Sequence, residues 1–123
     1  MTAVYLYVGI MARTEVEKSD LPLGTLDMLI LRTLTLGSLH GYAIAQHIGK
    51  LSDGLLRVEQ GSLYPALERL LNRGWVTAKW ATTPTKRQAR YYTITRAGRR
   101  QLEARFAEYE RITAAISRVM TGA

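Results

Sequence analysis

The sequence predicts a mainly α-helical domain with a small β-hairpin, an α+β fold, and three observations support this prediction. Apolar residues recur at steps of three and four over four segments of the chain. Between the third and fourth of these segments the pattern changes to alternation, which is typical of strands. The chain has 123 residues, of which 47% are hydrophobic and 22% charged, and these proportions indicate one globular domain with a modest core.

The first two helices are expected in the N-terminal half. The first opens in the stretch LPLGT, residues 21–25, and Gly37 is expected to end it. Its apolar stripe carries Leu23, Leu26, Leu29, Ile30 and Leu34. The second helix, GYAIAQHIGKL, begins near Gly41 and has Ile44, Ile48 and Leu51 on one face. In the following loop, the apolar run of Leu55, Leu56 and Val58 is consistent with a short strand.

The third helix is predicted in QGSLYPALERLLNRGW, residues 60–75. Pro65 lies in its first turn, where a proline removes no intrahelical hydrogen bond, and Gly74 lies just past its end. One side of this helix carries leucines that can anchor it to the first two helices: Leu63, Leu67, Leu70 and Leu71. The opposite side is polar and slender, with Gly61, Pro65, Glu68, Arg69 and Asn72, and with Ser62, Tyr64 and Arg73 on its flanks.

A β-hairpin and a long helix complete the chain. Two alternating runs, around residues 76–81 and 91–95, flank a basic turn that has Lys86, Arg87 and Arg90 at or beside its tip. Thr95 is expected to cap a helix that runs from about Arg96 to Met120, about 37 Å at 1.5 Å per residue.

The last helix carries an apolar seam with coiled-coil spacing. Its members are Leu102, Phe106, Tyr109, Ile112, Thr113, Ile116, Val119 and Met120. The small domain can cover only part of this seam, so we expect the rest to meet the same helix of a second copy and form a homodimer. The chain is thus divided into an N-terminal extension (1–20), a helical domain with a hairpin (21–95) and a dimerisation helix (96–123). The extension is expected either to be flexible or to pack on the domain or a partner.

The positive charge is concentrated in one third of the chain. The net charge is +7, and residues 61–100 alone carry nine basic residues against Glu68, a net charge of +8. This region includes the third helix and the hairpin, and its charge predicts a polyanionic partner.

The order of elements predicts a winged helix-turn-helix domain that binds double-stranded DNA. In such domains the third helix enters the major groove and the hairpin, or wing, follows the backbone or the minor groove. Gly61 and Ser62 leave the helix N-terminus open to a phosphate, and Arg69 could meet a guanine edge in bidentate fashion. The predicted DNA contacts are Gln60, Gly61, Ser62, Tyr64, Pro65, Arg69, Asn72, Arg73, Lys86, Arg87 and Arg90. Glu68 either orients Asn72 or accepts from a cytosine amine.

Several classes of function are disfavoured by the residues that the chain lacks. It has no cysteine, which excludes disulfides, thiol chemistry and cysteine-based zinc sites and fits a cytoplasmic location. His40 and His47 are its only histidines, and neither they nor Ser62 has partners suited to catalysis or metal binding. We therefore expect no enzyme, no cofactor and no metal. The apolar N-terminus MTAVYLYVGI is too short to span a bilayer, which takes about 20 residues, so no membrane partner is expected.

Over roughly residues 21–120 the chain resembles the PadR family of winged helix-turn-helix transcriptional regulators. The matching pieces, in order, are LPLGTLDMLILRTL, HGYAIAQHI, VEQGSLYPALERLLNRGWV and RQARYYTITRAGRRQLE. The resemblance implies a homodimeric repressor that binds an operator, expected to be an inverted repeat, and is released by a ligand or signal. It places Tyr64 and Pro65 in the family's recognition helix, and Lys86, Arg87 and Arg90 in its basic wing. The single terminal helix places the chain in the short subgroup of the family.

The residues of the chain do not identify a small-molecule effector. Some short relatives use a tryptophan of the terminal helix to form a drug-binding pore, whereas Trp75 and Trp80 are here predicted in the wing strands, where they pack in the core. Phe106 and Tyr109 are the only aromatic residues left to line such a pore. A winged helix that binds protein or RNA also remains open, because a fold does not fix a function.

Overall fold

The computed structural model describes residues 24–122. Within them lie four helices and three strands: α1 (Thr25–Leu34), β1 (Leu39–His40), α2 (Gly41–Leu51), α3 (Gln60–Asn72), β2 (Val76–Thr82), β3 (Gln88–Ile94) and α4 (Arg96–Met120). This arrangement of helices with a small antiparallel sheet confirms the predicted α+β winged-helix class. The N-terminal extension and the expected helix opening at residues 21–23 lie outside the described residues.

The sheet has three strands, in the order β1-β3-β2, and all neighbours are antiparallel. The predicted hairpin is present, with Val76 opposite Ile94 at its base and Thr82 opposite Gln88 near its tip. The third strand, β1, has only two residues and pairs Leu39 with Tyr92 and His40 with Tyr91. It was not predicted, because two residues are too few to show alternation.

Two expectations about loops and helix ends are corrected. The prediction of a short strand at residues 55–58 is wrong, because this segment has no regular secondary structure. The apolar side chains of Leu56 and Val58 pack against the core instead. The first helix ends at Leu34, before the expected stop at Gly37. The amides of Leu36 and Gly37 then bond the carbonyls of Thr33 and Leu34, which closes the last turn.

The core lies between α1, α2, α3 and the inner face of the sheet. Its fully buried members include Ile30, Leu31, Leu34, Ile44, Leu63, Leu67, Leu70 and Val76. Three of the four leucines predicted to anchor α3 are buried, and the fourth, Leu71, is partly buried against the same cluster. Burial of each large side chain is worth about 1.5–3 kcal/mol, and this contribution fixes the orientation of α3 and leaves its polar side outward.

The predicted N-cap of the last helix is confirmed. Thr95 Oγ1 accepts a hydrogen bond from the amide of Gly98 at 3.0 Å and donates one to the carbonyl of Gly74 at 2.8 Å. Gly98 touches Trp75, the residue before β2, because a Cβ built on Gly98 would lie 2.1 Å from the carbonyl oxygen of Trp75. The first turn of α4 is therefore packed against the turn between α3 and β2, and Leu102 still contacts the core.

Candidate nucleic-acid interface

The outward face of α3 is exposed as the sequence predicted. Gln60, Gly61, Tyr64, Pro65, Arg69, Asn72 and Arg73 are exposed, and Ser62 is half-buried. The residue before the helix, Glu59, makes no side-chain capping bond. The beginning of α3 thus presents small or polar residues and the positive end of its dipole to the outside.

Tyr64 is held by a close approach between α2 and α3. Its ring lies against Gly41, the first residue of α2, where a Cβ would come within 2.9 Å of the tyrosine hydroxyl oxygen. The residue is still 43% exposed. The absence of a side chain at residue 41 is what permits this position of the tyrosine.

Arg69 and Arg73 share a carboxylate of α1. The guanidinium of Arg69 lies 2.8 Å from Oδ1 of Asp27, and that of Arg73 lies 3.8 Å from Oδ2. Asp27 is buried, whereas both arginine side chains are about half exposed. Sequence reasoning assigned Arg69 to a guanine edge and overlooked Asp27. The base contact stays a prediction, and the structure adds that such a contact competes with an existing ion pair.

Glu68 pairs with Arg90 of the wing, at 3.6 Å between Oε1 and the guanidinium. Neither partner suggested for Glu68 from the sequence is the one that it has here. Arg90 also lies over the ring of Tyr92, 6.0 Å from its centroid. Burial raises the pKa of the Tyr92 hydroxyl, and the positive charge of Arg90 acts in the opposite direction. This cluster connects α3 to the wing.

The tip of the wing is the loop 83–87. The amide of Thr83 donates to the carbonyl of Arg87 at 2.7 Å, and the Thr83 hydroxyl accepts from the amide of Arg87 at 3.1 Å. Lys86 has a positive φ of 65°, which turns the chain back into β3. The side chains of Lys86 and Arg87 are exposed, whereas Arg90 lies on β3, beyond the tip.

A groove of about 900 Å³ separates the wing from the helices. The beginning of α2 and Tyr64 of α3 form one wall, and residues 80, 83–85, 87–90 and 92 of the wing line the other. The core-packing interpretation of Trp80 is wrong, because this side chain is 65% exposed and lines the groove. For Trp75 the interpretation is right, since the ring packs against the core, although Trp75 precedes β2 and does not lie in it.

The remaining predicted residues fall into two groups. On α4, Phe106, Tyr109, Ile112, Ile116, Val119 and Met120 are exposed in the single chain, while Leu102 and Thr113 are partly buried. His40 caps α2, accepting from the amide of Ala43 at 3.2 Å, and its ring meets the edge of Tyr91.

Among residues 24–122, no cluster of acidic, histidine or cysteine side chains could hold a metal. No helix of this part of the chain is long and apolar enough to cross a membrane.

Three helices followed by a basic wing define a winged helix-turn-helix protein. The model of the transcriptional regulator PadR-like family matches residues 30–104, more than half of the chain, and the chain therefore belongs to this family. Its members are transcriptional regulators, which confirms the prediction that the protein is a regulator and not an enzyme.

Solved structures agree with this assignment. The chain is similar to a PadR family regulator from Eggerthella lenta, with 26% identity, a TM-score of 0.70 and coverage of 97% of this chain and 99% of that one. It is also similar to a transcriptional regulator from Clostridium thermocellum, with 29% identity, a TM-score of 0.69 and coverage of 75% and 89%. Bacillus subtilis PadR in complex with operator DNA matches with 27% identity and a TM-score of 0.61, over 69% of this chain and 48% of that one.

Proposed function

We propose that this PadR-like regulator is a sequence-specific repressor that binds an operator in double-stranded DNA as a homodimer. The observation that carries the proposal is the common position of two predicted DNA-binding elements. Tyr64 of α3 and most of the basic loop 83–87 border one groove, within the part of the chain that carries a net charge of +8. The operator complex of Bacillus subtilis PadR supports the same class of partner.

In this proposal α3 enters the major groove and the loop 83–87 follows the backbone or the adjacent minor groove. The proposed contacts are Gln60, Gly61, Ser62, Tyr64, Pro65, Arg69, Asn72, Arg73, Lys86, Arg87 and Arg90. Lys86 and Arg87 contribute charge without a preference for sequence. Arg69 and Arg90 enter the interface already paired with carboxylates, so their contribution depends on whether those pairs open.

The dimer is proposed to form through α4. The exposed apolar face from Phe106 to Met120 is too large to remain in water at no cost, and a second copy offers the matching seam. A two-fold dimer recognises an inverted repeat, with half-sites about one helical turn apart. Release by a small-molecule effector rests on the family resemblance alone and is part of this proposal.

The test begins with selection of genomic fragments that the purified protein binds, followed by titration of a selected duplex and a random duplex. Replacement of Lys86 and Arg87 by alanine should weaken binding to both duplexes and reduce the slope of log K against log salt by about 1.8, because two phosphate contacts are lost. Lys50→Ala with Arg57→Ala is the matched control, since it removes the same charge from exposed sites outside the groove. Equal effects of the two double variants, or no salt-dependent binding by the wild type, would overturn the proposal.

A further inference from the structure

Trp80 lies where the inner face of the wing extends beyond the core. Along β2, residues 76, 78 and 80 point to the same side of the sheet, because side chains alternate along a strand. Val76 is fully buried and Ala78 partly buried, but Trp80 is 65% exposed. A tryptophan is the largest apolar side chain, and a sheet that needed only to fold could hold a polar residue at this position.

The surroundings of Trp80 combine aromatic walls with positive charge. Directly opposite, on β3, is Arg90, and Arg87 lies at the wing tip beside the same groove. Across the groove are Tyr64 and Tyr42, the latter 64% exposed. The groove therefore offers flat apolar surfaces along its length and guanidinium groups on the wing side.

The proposed position of the two DNA-binding elements indicates which part of the DNA would lie in this groove. A helix in the major groove and a wing in the neighbouring minor groove lie on opposite sides of one sugar–phosphate strand, so that strand has to pass between them. Its deoxyriboses have apolar faces and its phosphates are anionic, which matches the aromatic walls and the arginines.

We infer that Trp80 is a further DNA-contact residue, whose ring covers a deoxyribose of the strand that lies in this groove. The inference rests on the proposed function. It assigns to the wing an apolar contact in addition to the charge contacts of Lys86 and Arg87. An apolar contact of this kind releases no counterions, so its contribution to affinity is the same at low and at high salt.

The test compares Trp80→Ala and Trp80→Phe by titration of the selected duplex over a range of salt concentrations. Trp80→Ala should weaken binding about 5- to 150-fold, the range of aromatic contacts with nucleic acid, with the salt slope unchanged. Trp80→Phe should retain most of the affinity. Leu36→Ala is the matched control, because Leu36 is a similarly exposed apolar residue (61%) outside the groove, and it should bind as the wild type does.

Fluorescence gives an independent measurement. Trp75 and Trp80 are the two tryptophans of the chain, so the Trp80→Phe variant reports the background from Trp75. Bound duplex should protect the part of the wild-type fluorescence that comes from Trp80 against quenching by acrylamide. Wild-type affinity in Trp80→Ala, or unprotected Trp80 in the complex, would overturn this inference and leave the proposed function intact. If the wild-type protein binds no duplex, the proposed function itself is wrong.

Discussion

Arg69 of α3 donates a hydrogen bond to the buried carboxylate of Asp27 in α1, at 2.8 Å. Removal of the arginine leaves this carboxylate with Arg73, at 3.8 Å, as its remaining ion-pair partner in the described residues. A buried charge that loses a hydrogen bond costs about 1–3 kcal/mol. We therefore expect Arg69→Ala to lower the free energy of unfolding by that amount in urea titrations, and Arg69→Lys to recover part of it.

The same variant tests the base contact predicted for Arg69. If the guanidinium also reads a guanine, binding-site selection with Arg69→Ala should show relaxed preference at one position, by about 1–3 kcal/mol. An unaltered preference together with reduced stability would restrict Arg69 to joining α1 and α3.

Gly41→Ala should separate DNA binding from stability. The new methyl group would meet the end of the Tyr64 side chain, which is half exposed and can move away. Alanine is also the better helix former, so the free energy of unfolding should stay constant or rise by up to about 1 kcal/mol. Because the new methyl group displaces the Tyr64 side chain, the affinity for the selected duplex should fall.

Gly49→Ala is the matched control for this effect. It makes the same change in the same helix, where a Cβ meets its nearest neighbour at an ordinary 3.9 Å. Equal affinities of the two variants would show that the position of Tyr64 does not matter for binding.

Gly98→Ala should destabilise the fold, in contrast to Gly41→Ala. Its Cβ would lie 2.1 Å from the carbonyl oxygen of Trp75, and backbone cannot rotate away as a side chain can. Forcing the two segments apart should cost about 1–3 kcal/mol in urea titrations. Arg99→Ala, at the exposed neighbouring position, should change stability little, and a stable Gly98→Ala variant would show that α4 is not held at this contact.

Ile116→Glu should produce monomers. The carboxylate would lie within the apolar seam of α4, where dimer formation would bury it without a partner. Ala114→Glu introduces the same group on the opposite side of the helix and should leave the dimer intact. Light scattering gives the mass of each variant, and a dimeric Ile116→Glu protein would move the interface elsewhere.

The stability of the protein should fall at alkaline pH through Tyr92. Burial raises the pKa of this hydroxyl above its ordinary value of 10.0, so the folded state favours the neutral form. The resulting stabilisation is complete below pH 10, where tyrosine is neutral in both states, and is lost as the pH rises from there through the raised pKa. Tyr92→Phe should flatten this decline in urea titrations between pH 9 and 11, taken at about half-unit steps. Tyr42→Phe, at an exposed site, should keep the wild-type decline.

Local chemistry was sufficient to predict some elements. The limits of α4 and its cap at Thr95 follow from a long apolar period and a side chain that bonds an amide three residues away. The two-residue strand β1 could not be predicted, because its partners lie about fifty residues further along the chain. In the same way, Asp27 is unremarkable in the sequence and becomes a partner of α3 only where the two helices cross.

Trp80 illustrates a second limit of sequence reasoning. The alternation in β2 assigned this residue to the inner face of the hairpin, and that assignment is correct. The core, however, ends before the strand does, so an inward direction does not mean burial. How far a core extends depends on the sizes and angles of all the elements around it, which no local pattern contains.

The centroid of the Trp75 ring lies 5.0 Å from the guanidinium carbon of Arg73 and 4.9 Å from that of Arg105. Arg73 is the C-cap of α3 and Arg105 belongs to α4, so the indole of Trp75 contacts one cation from each of these two helices. If α4 forms the dimer as proposed, a change in its angle is expected to displace the end of α3 through this contact. A signal that changes the angle between the two copies of α4 would then alter the separation of the two α3 helices in the proposed dimer.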